Sequence, residues 1–215
     1  MKIAIVSFGN STGNYVKALN RLKHSLEEHF KGDVLSWSNE SQLNCPLHKD
    51  NPYAFKVYAM QEAFNKGYTK VLWLDSSVWA VKDIQPVFND ISKNGFFLED
   101  SGHRIGSWSN DQCLDWFKLT RDEANQMRMI SSGFVGIDIE NAIGEEIFTK
   151  WKSAMLAGTF VGSWNDHRHD QTALSIIAQQ LGLDPLINPC GKYFAYVGNG
   201  YPEPQSTALF HLQGM

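Results

Sequence analysis

Lys2 to Phe8 is a continuous apolar run rich in β-branched residues, and it ends in the turn-rich stretch Ser7-Phe8-Gly9-Asn10-Ser11-Thr12-Gly13. A strand without alternation is buried on both faces, so helices have to cover both sides of its sheet. The next segment supplies one. Val16, Leu19, Leu22, Leu26 and Phe30 recur at three- and four-residue steps, the period of an amphipathic helix, with Gly32 expected to close it. Asp33 to Trp37 reads as a second strand. A β-α-β opening favours a parallel sheet with helices on its faces.

The rest of the chain continues the pattern. Pro52 is expected to start a helix with Phe55, Ala59 and Ala63 on one face and Gly67 after it. Lys70 to Leu74 is the clearest strand, and it stops at Asp75-Ser76-Ser77. Short strands are expected over Val78 to Val81, Gly95 to Leu98, Phe134 to Ile139, Tyr193 to Val197 and Leu209 to Leu212, and helices over Ala142 to Leu156 and Gln171 to Leu181. At 215 residues the chain has the size of one α/β domain. It carries no internal repeat, low-complexity tract or linker.

Composition excludes several classes. A net charge of −4 gives no cationic field for neutralising phosphates, so nucleic acid is not an expected partner. Three scattered cysteines, Cys45, Cys113 and Cys190, form neither a disulfide framework nor a thiolate zinc site and suit a reducing compartment. The N-terminal apolar run is too short for a signal-peptide core or a membrane span, so a soluble cytoplasmic protein is expected. The first loop lacks G-x-G-x-x-G, and the chain has no P-loop and no G-x-S-x-G elbow.

An α/β sheet places ligands at the carboxyl ends of its parallel strands. The loop after the first strand and Asp75 after the third are therefore expected to face one crevice. Asp75 with Ser76 and Ser77 offers hard oxygen donors suited to Mg²⁺ or Mn²⁺, although an Asp there also serves as a turn residue. His211, in the apolar strand Leu209-Phe210-His211-Leu212, is either a core histidine or, with Asp75, part of a mixed O/N set that favours Mn²⁺. Asp170, in the polar stretch Asn165 to Gln171, would serve as an N-cap for the helix that follows. His167 and His169 lack a third ligand for zinc. Lys56 is expected to lay its stem at the rim of the crevice. Ser131-Ser132-Gly133 leads into a strand, and Gly133 permits close approach of a ligand to the backbone.

Taken in order, these pieces resemble the GT-A glycosyltransferases, families eight and thirty-four in particular. Pro52-Tyr53-Ala54-Phe55-Lys56 followed by Gly67 to Val78 is similar to their helix-borne Lys, apolar strand and Asp-x-Asp. Ser132-Gly133-Phe134, His169-Asp170-Gln171 and His211-Leu212-Gln213-Gly214 are similar to their later motifs. The resemblance implies a Rossmann-like three-layer sandwich with a mostly parallel central sheet. It implies transfer of a sugar from a UDP-sugar donor to a glycan or glycoprotein hydroxyl, with Mn²⁺ or Mg²⁺ on the diphosphate. It assigns the metal to Asp75, Ser77 and His211. The nucleotide falls to Ser7, Phe8, Gly9, Asn10, Lys56, Asp75, Ser76 and Gly214, and the donor sugar to Ser132, Gly133, Asp170 and Gln171. Asp170 and Gln171 are its catalytic candidates, with Glu99, Asp100 and Asp138 as spare carboxylates. Ser77 stands where the family has its second Asp, which lowers the expected metal affinity and leaves a non-catalytic sugar- or nucleotide-binding module as the alternative. The chain stops four residues after His211, so a domain cut from a longer polypeptide is expected.

Overall fold

The computed structural model describes residues 2–10, 13–198 and 207–213. In chain order the elements are β1 (Ile3–Phe8), α1 (Asn14–His29), β2 (Asp33–Trp37), α2 (Ala54–Asn65), β3 (Lys70–Leu74), β4 (Val78–Ala80), α3 (Gln85–Asn94), β5 (Phe96–Phe97), β6 (Asp100–Arg104), α4 (Asp111–Trp116), α5 (Arg121–Gln126), β7 (Arg128–Ile130), β8 (Phe134–Asp138), α6 (Ala142–Leu156), α7 (His169–Gln180), β9 (Phe194–Tyr196) and β10 (Phe210–Leu212).

Five strands form the central sheet in the order β2-β1-β3-β8-β5. β1 runs parallel to both β2 and β3, while β8 is antiparallel to β3 and to β5. Four strands thus share one direction and β8 opposes them. Alternate residues face opposite layers, as the two-residue period of a strand requires. Val6, Val71, Trp73, Val135 and Ile137 pack with α2, α6 and α7, whereas Ile5, Leu72, Leu74 and Phe134 pack with α1 and α3. Each large side chain removed from water in these layers contributes about 1.5–3 kcal/mol. A three-stranded sheet, β4-β10-β9, lies on the α1/α3 side, and β6 pairs with β7 as a separate ribbon. The expected three-layer α/β sandwich with a mostly parallel sheet is the architecture found.

Several local expectations are corrected. Gly32 does not close α1; the chain leaves the helix at Phe30 in an extended conformation. Pro52 precedes α2 without entering it, and Tyr53, in the left-handed region at φ 61°, is the residue before the first turn. Gly95 is not in a strand. It ends α3 at φ 84°, where only glycine is unstrained, and an added Cβ would strike the Asn141 side chain. Asp170 is not an N-cap: α7 starts at His169, which places Asp170 inside the first turn.

Candidate functional site

The pairing of β3 with β8 builds the core of the site. Leu74 lies opposite Phe134, so the residues just beyond, Asp75 and Gly133, meet at the carboxyl edge of the sheet, and the Asp75 amide donates to the Gly133 carbonyl at 3.0 Å. An antiparallel β8 is what brings Ser131-Ser132-Gly133 to the ligand edge. The same direction carries Asp138 to the far edge, where it pairs with Lys70 at 2.6 Å. Asp138 is therefore not part of the site.

Lys56 is buried to 1% exposure rather than lying along a rim. Its ammonium stands 3.2 Å from Asp75 Oδ1 and 3.1 Å from Asp170 Oδ2, and donates to the Ser132 carbonyl and hydroxyl at 3.0 and 3.2 Å. Burial alone would push its pKa down, but the two carboxylates hold it above the usual lysine range. Asp170 is almost fully buried, and burial pushes its carboxyl up against the pull of Lys56. Trp73 Nε1 donates to Asp75 Oδ1 at 2.7 Å. That leaves Asp75 Oδ2 turned toward Gly133, where an added Cβ would come within 3.3 Å of it.

Two residues in the left-handed region start the helices that carry this ion pair. Tyr53 (φ 61°) precedes α2 and His169 (φ 47°) opens α7, and their rings lie 5.3 Å apart. Non-glycine residues at positive φ persist where surrounding contacts over-determine them. Tyr53 also meets His48 and Trp164, and burial pushes its phenol up to about 12. His167 Nε2 and His169 Nδ1 each face a backbone carbonyl, of Thr159 and Phe160, at 2.8 Å.

Two adjoining cavities open along this edge. The first, about 480 Å³, is largely aromatic, with Phe8, Tyr15, His48, Tyr53, Phe55, Trp73 and Trp164 around Asn10 and Glu40. Phe8 stacks on Phe55 at 4.3 Å. The second, about 290 Å³, is polar. Lys56, Ser101, His103, Ser131, Ser132, Gly133, Arg168, Asp170 and Gln171 line it, with Tyr196 and Leu212 at its wall. Tyr53, Asp75, Ser77 and Trp164 border both. The ends of β1 and β3 thus share one crevice, as the sheet topology requires.

The structure gathers Phe8, Asn10, Lys56, Asp75, Ser76, Ser77, Ser132, Gly133, Asp170 and Gln171 around these cavities. Ser7 is buried within β1. Gly9 packs under α1, where an added Cβ would lie 2.9 Å from Leu19 Cβ. Gly214 lies outside the described residues. β10 reaches the polar cavity but presents Leu212 to it, while His211 faces the other way, edge-on to Trp79 at 5.6 Å. Glu99 turns toward the backbone of residues 191–193, and Asp100 pairs with Arg128. Among the described residues no cluster of three or more His, Cys, Asp or Glu is arranged to hold a metal. Tyr53, Trp164, Arg168, Ser101 and His103 were not singled out by sequence. Each comes from a loop, a short ribbon or the residue just before a helix, where no periodicity marks a cavity-lining position.

No protein-family model matches the chain, and no curated protein matches it. Among solved structures it is similar to the apo structure of the bifunctional glycosyltransferase WbbM, with a TM-score of 0.61 and 13% identity. The match covers 98% of this chain and 45% of that one, so the chain spans less than half the length of this neighbour. At such identity the likeness establishes the fold alone, a Rossmann-like α/β architecture with a mostly parallel central sheet.

Proposed function

We propose that the chain is a glycosyltransferase domain that takes a UDP-sugar donor and passes its sugar to a hydroxyl of a glycan or glycoprotein acceptor. The observation that carries this reading is the two-part crevice. An aromatic cavity suits a stacked base and ribose, a polar cavity suits a sugar, and Asp75 and Ser77 stand on the border where a diphosphate would lie.

A divalent cation fits this border in part. Asp75 Oδ2 and Ser77 are the donors available, and Mg²⁺ or Mn²⁺ commonly takes one or two protein oxygens, with phosphates and water completing its shell. When bound there the ion would act as a Lewis acid on the departing diphosphate. For His211 to join the ligand set its ring must leave Trp79; the sequence resemblance, not the geometry, argues for it. Trp73 and Lys56 fix Asp75 in orientation. Asp170 and Gln171 face the donor sugar, and because Lys56 holds Asp170, its role here is to bind and orient sugar hydroxyls.

The ordered motifs also resemble the N-terminal glycosyltransferase domain of a multi-domain chlorovirus protein that builds capsid glycans. A domain of that kind would work in the host cytoplasm. Among the described residues no helix is long and apolar enough to cross a membrane.

Incubation with a panel of UDP-sugars and Mn²⁺ tests the proposal, because a transferase releases UDP slowly to water. The second reading, a non-catalytic binding module, draws on the single carboxylate of Asp75-Ser76-Ser77. It predicts donor binding without UDP release. Asp75→Ala is expected to abolish metal-dependent donor binding in a folded protein; unchanged affinity would show the site to be misplaced.

A further inference from the structure

The polar cavity holds two cations, and they differ in what neutralises them. Lys56 is matched by Asp75 and Asp170. Arg168, on the same cavity wall, pairs with no carboxylate among the described residues. Its guanidinium carbon lies 3.8 Å from the Trp108 ring centroid and 4.1 Å from that of Trp164, so the plane is held between two indoles. One arm donates to the Trp164 carbonyl. The Arg168 amide and the Thr172 hydroxyl both bond the Trp108 carbonyl, at 3.0 and 2.8 Å, which ties the clamp to the start of α7.

A guanidinium covered on its faces keeps its N–H edge for ligands. Its fixed fork matches the oxygens of a phosphate or carboxylate, and little side-chain entropy is left to lose on binding. Charge points the same way. With both carboxylates ionised, Lys56, Asp75 and Asp170 sum to one negative charge, which repels an anion, and Arg168 is the group lining the cavity that cancels it.

We infer that Arg168 is the anion-binding residue of the polar cavity and takes an anionic oxygen of the donor beyond the first phosphate. That oxygen comes either from the terminal phosphate of the diphosphate or from a carboxylate on the sugar. The inference rests on the nucleotide-sugar reading of the crevice and names the group that offsets its acidic border.

Binding of UMP, UDP, UDP-glucose and UDP-glucuronate to wild type and Arg168→Gln, measured by titration calorimetry at fixed Mn²⁺, tests it. A charge-assisted bond is worth enough that its loss should weaken binding about tenfold or more. Weakening of UDP, UDP-glucose and UDP-glucuronate alike, with UMP unchanged, supports the inference and identifies the phosphate. Weakening of UDP-glucuronate alone supports it and identifies the carboxylate. Unchanged affinity for all four, or an equal loss for UMP and UDP, overturns it. If Arg168→Gln does not fold, Arg168→Lys keeps the charge without the fork, and the same pattern at a smaller loss, about threefold, is expected; full affinity overturns the inference. If wild type binds none of the four, the nucleotide reading falls by itself. Inorganic pyrophosphate then decides the anion site: it should raise the melting temperature of wild type but not of the variant, and no difference between them overturns it.

Discussion

Lys56 and Asp170 meet at 3.1 Å, each buried, from the first turns of two helices far apart in sequence. Both turns are entered through a residue in the left-handed region, and the two rings of those residues are in contact. The ion pair is thus the point where α2 and α7 are locked beneath the crevice, with Asp75 and Ser132 drawn to the same ammonium. Structure and site are continuous here: the group that orders Asp75 also fastens two helices of one layer.

Lys56→Met is therefore expected to destabilise the fold by about 3–5 kcal/mol, because it leaves a buried carboxylate without its partner. Adding Asp170→Leu should recover much of that loss, since the uncompensated charge is gone. Donor binding should not return with stability, because Asp75 still lacks its ammonium. Urea unfolding read beside donor affinity separates the two; recovery of binding in the double variant would show that Lys56 has no part in the site.

Gly133 faces the opposite test. An added Cβ would sit 3.3 Å from Asp75 Oδ2 and 3.7 Å from Ser131 Oγ, a tight but tolerable space, and the backbone there is not in the left-handed region. Gly133→Ala should change stability by less than about 1 kcal/mol. It should weaken Mn²⁺-dependent donor binding by roughly tenfold, because the methyl group crowds the oxygen left for the cation. Melting temperature and donor affinity, measured on one sample, check both halves.

How much of this was legible in the sequence depended on what holds each piece. β1, β3 and α6 are dictated by runs of apolar residues, and their ends fall where the pattern changes. The ribbon β6-β7 shows no such pattern, since Asp100-Ser101-Gly102-His103-Arg104 is polar throughout. Ion pairs hold it instead, Arg128 to Asp100 within the ribbon and Arg128 to Asp184 outside it. Asp138 illustrates a second limit. Its strand is plain from sequence, but strand direction is not, and direction alone moves its carboxylate to the far edge of the sheet. At the site, Asp75 and Lys56 were visible as a strand end and a helix-borne cation. That Lys56 is buried between two carboxylates follows only from the fold bringing the first turns of α2 and α7 to the end of β3. Trp164 carried no signal, and Arg168 showed only as one member of the polar stretch Asn165 to Gln171, because loop residues acquire a role only through the neighbours that the fold gives them.

Two buried groups, Glu99 and His167, push stability in opposite directions as pH changes. Burial raises the Glu99 carboxyl from 4.5 to about 8, although the amides of residues 191–193 oppose this. The folded state then keeps a proton that the unfolded chain releases, so this contribution is complete below pH 4.5 and is lost as pH rises through about 8. Burial lowers His167 from 6.5 to about 4. The unfolded chain takes up that proton first, so stability is lost as pH falls from 6.5 toward 4. Between pH 4.5 and 6.5 these two slopes oppose each other; above 6.5 the Glu99 slope remains, and the Asp170 carboxyl, also pushed up by burial, acts in the same direction. Urea unfolding should give a shallow plateau near pH 5–6.5 and a decline toward pH 8. Glu99→Gln should flatten that decline and raise stability at pH 8 by about 2 kcal/mol or more. An unchanged profile in the variant would mean that Glu99 is ionised in the folded protein.

Trp73 offers the most selective probe of the site, because one atom of it does the work. Its ring belongs to the apolar layer against α2 and borders the aromatic cavity, and its Nε1 donates to Asp75 Oδ1 at 2.7 Å. Trp73→Phe keeps an aromatic ring in the core but removes that donor. A hydrogen bond to a charged group is worth about 1.5–3 kcal/mol, and the smaller ring adds a packing loss, so a fall in stability of about 2–4 kcal/mol is expected. Lys56 still contacts the same oxygen, so Asp75 stays in the crevice with a wider range of orientations. Mn²⁺-dependent donor affinity should then drop several-fold, while binding of uridine alone, which needs the aromatic cavity and not the carboxylate, should hold to within about twofold. Equal losses for uridine and for the UDP-sugar would place the effect in the cavity wall rather than in the orientation of Asp75.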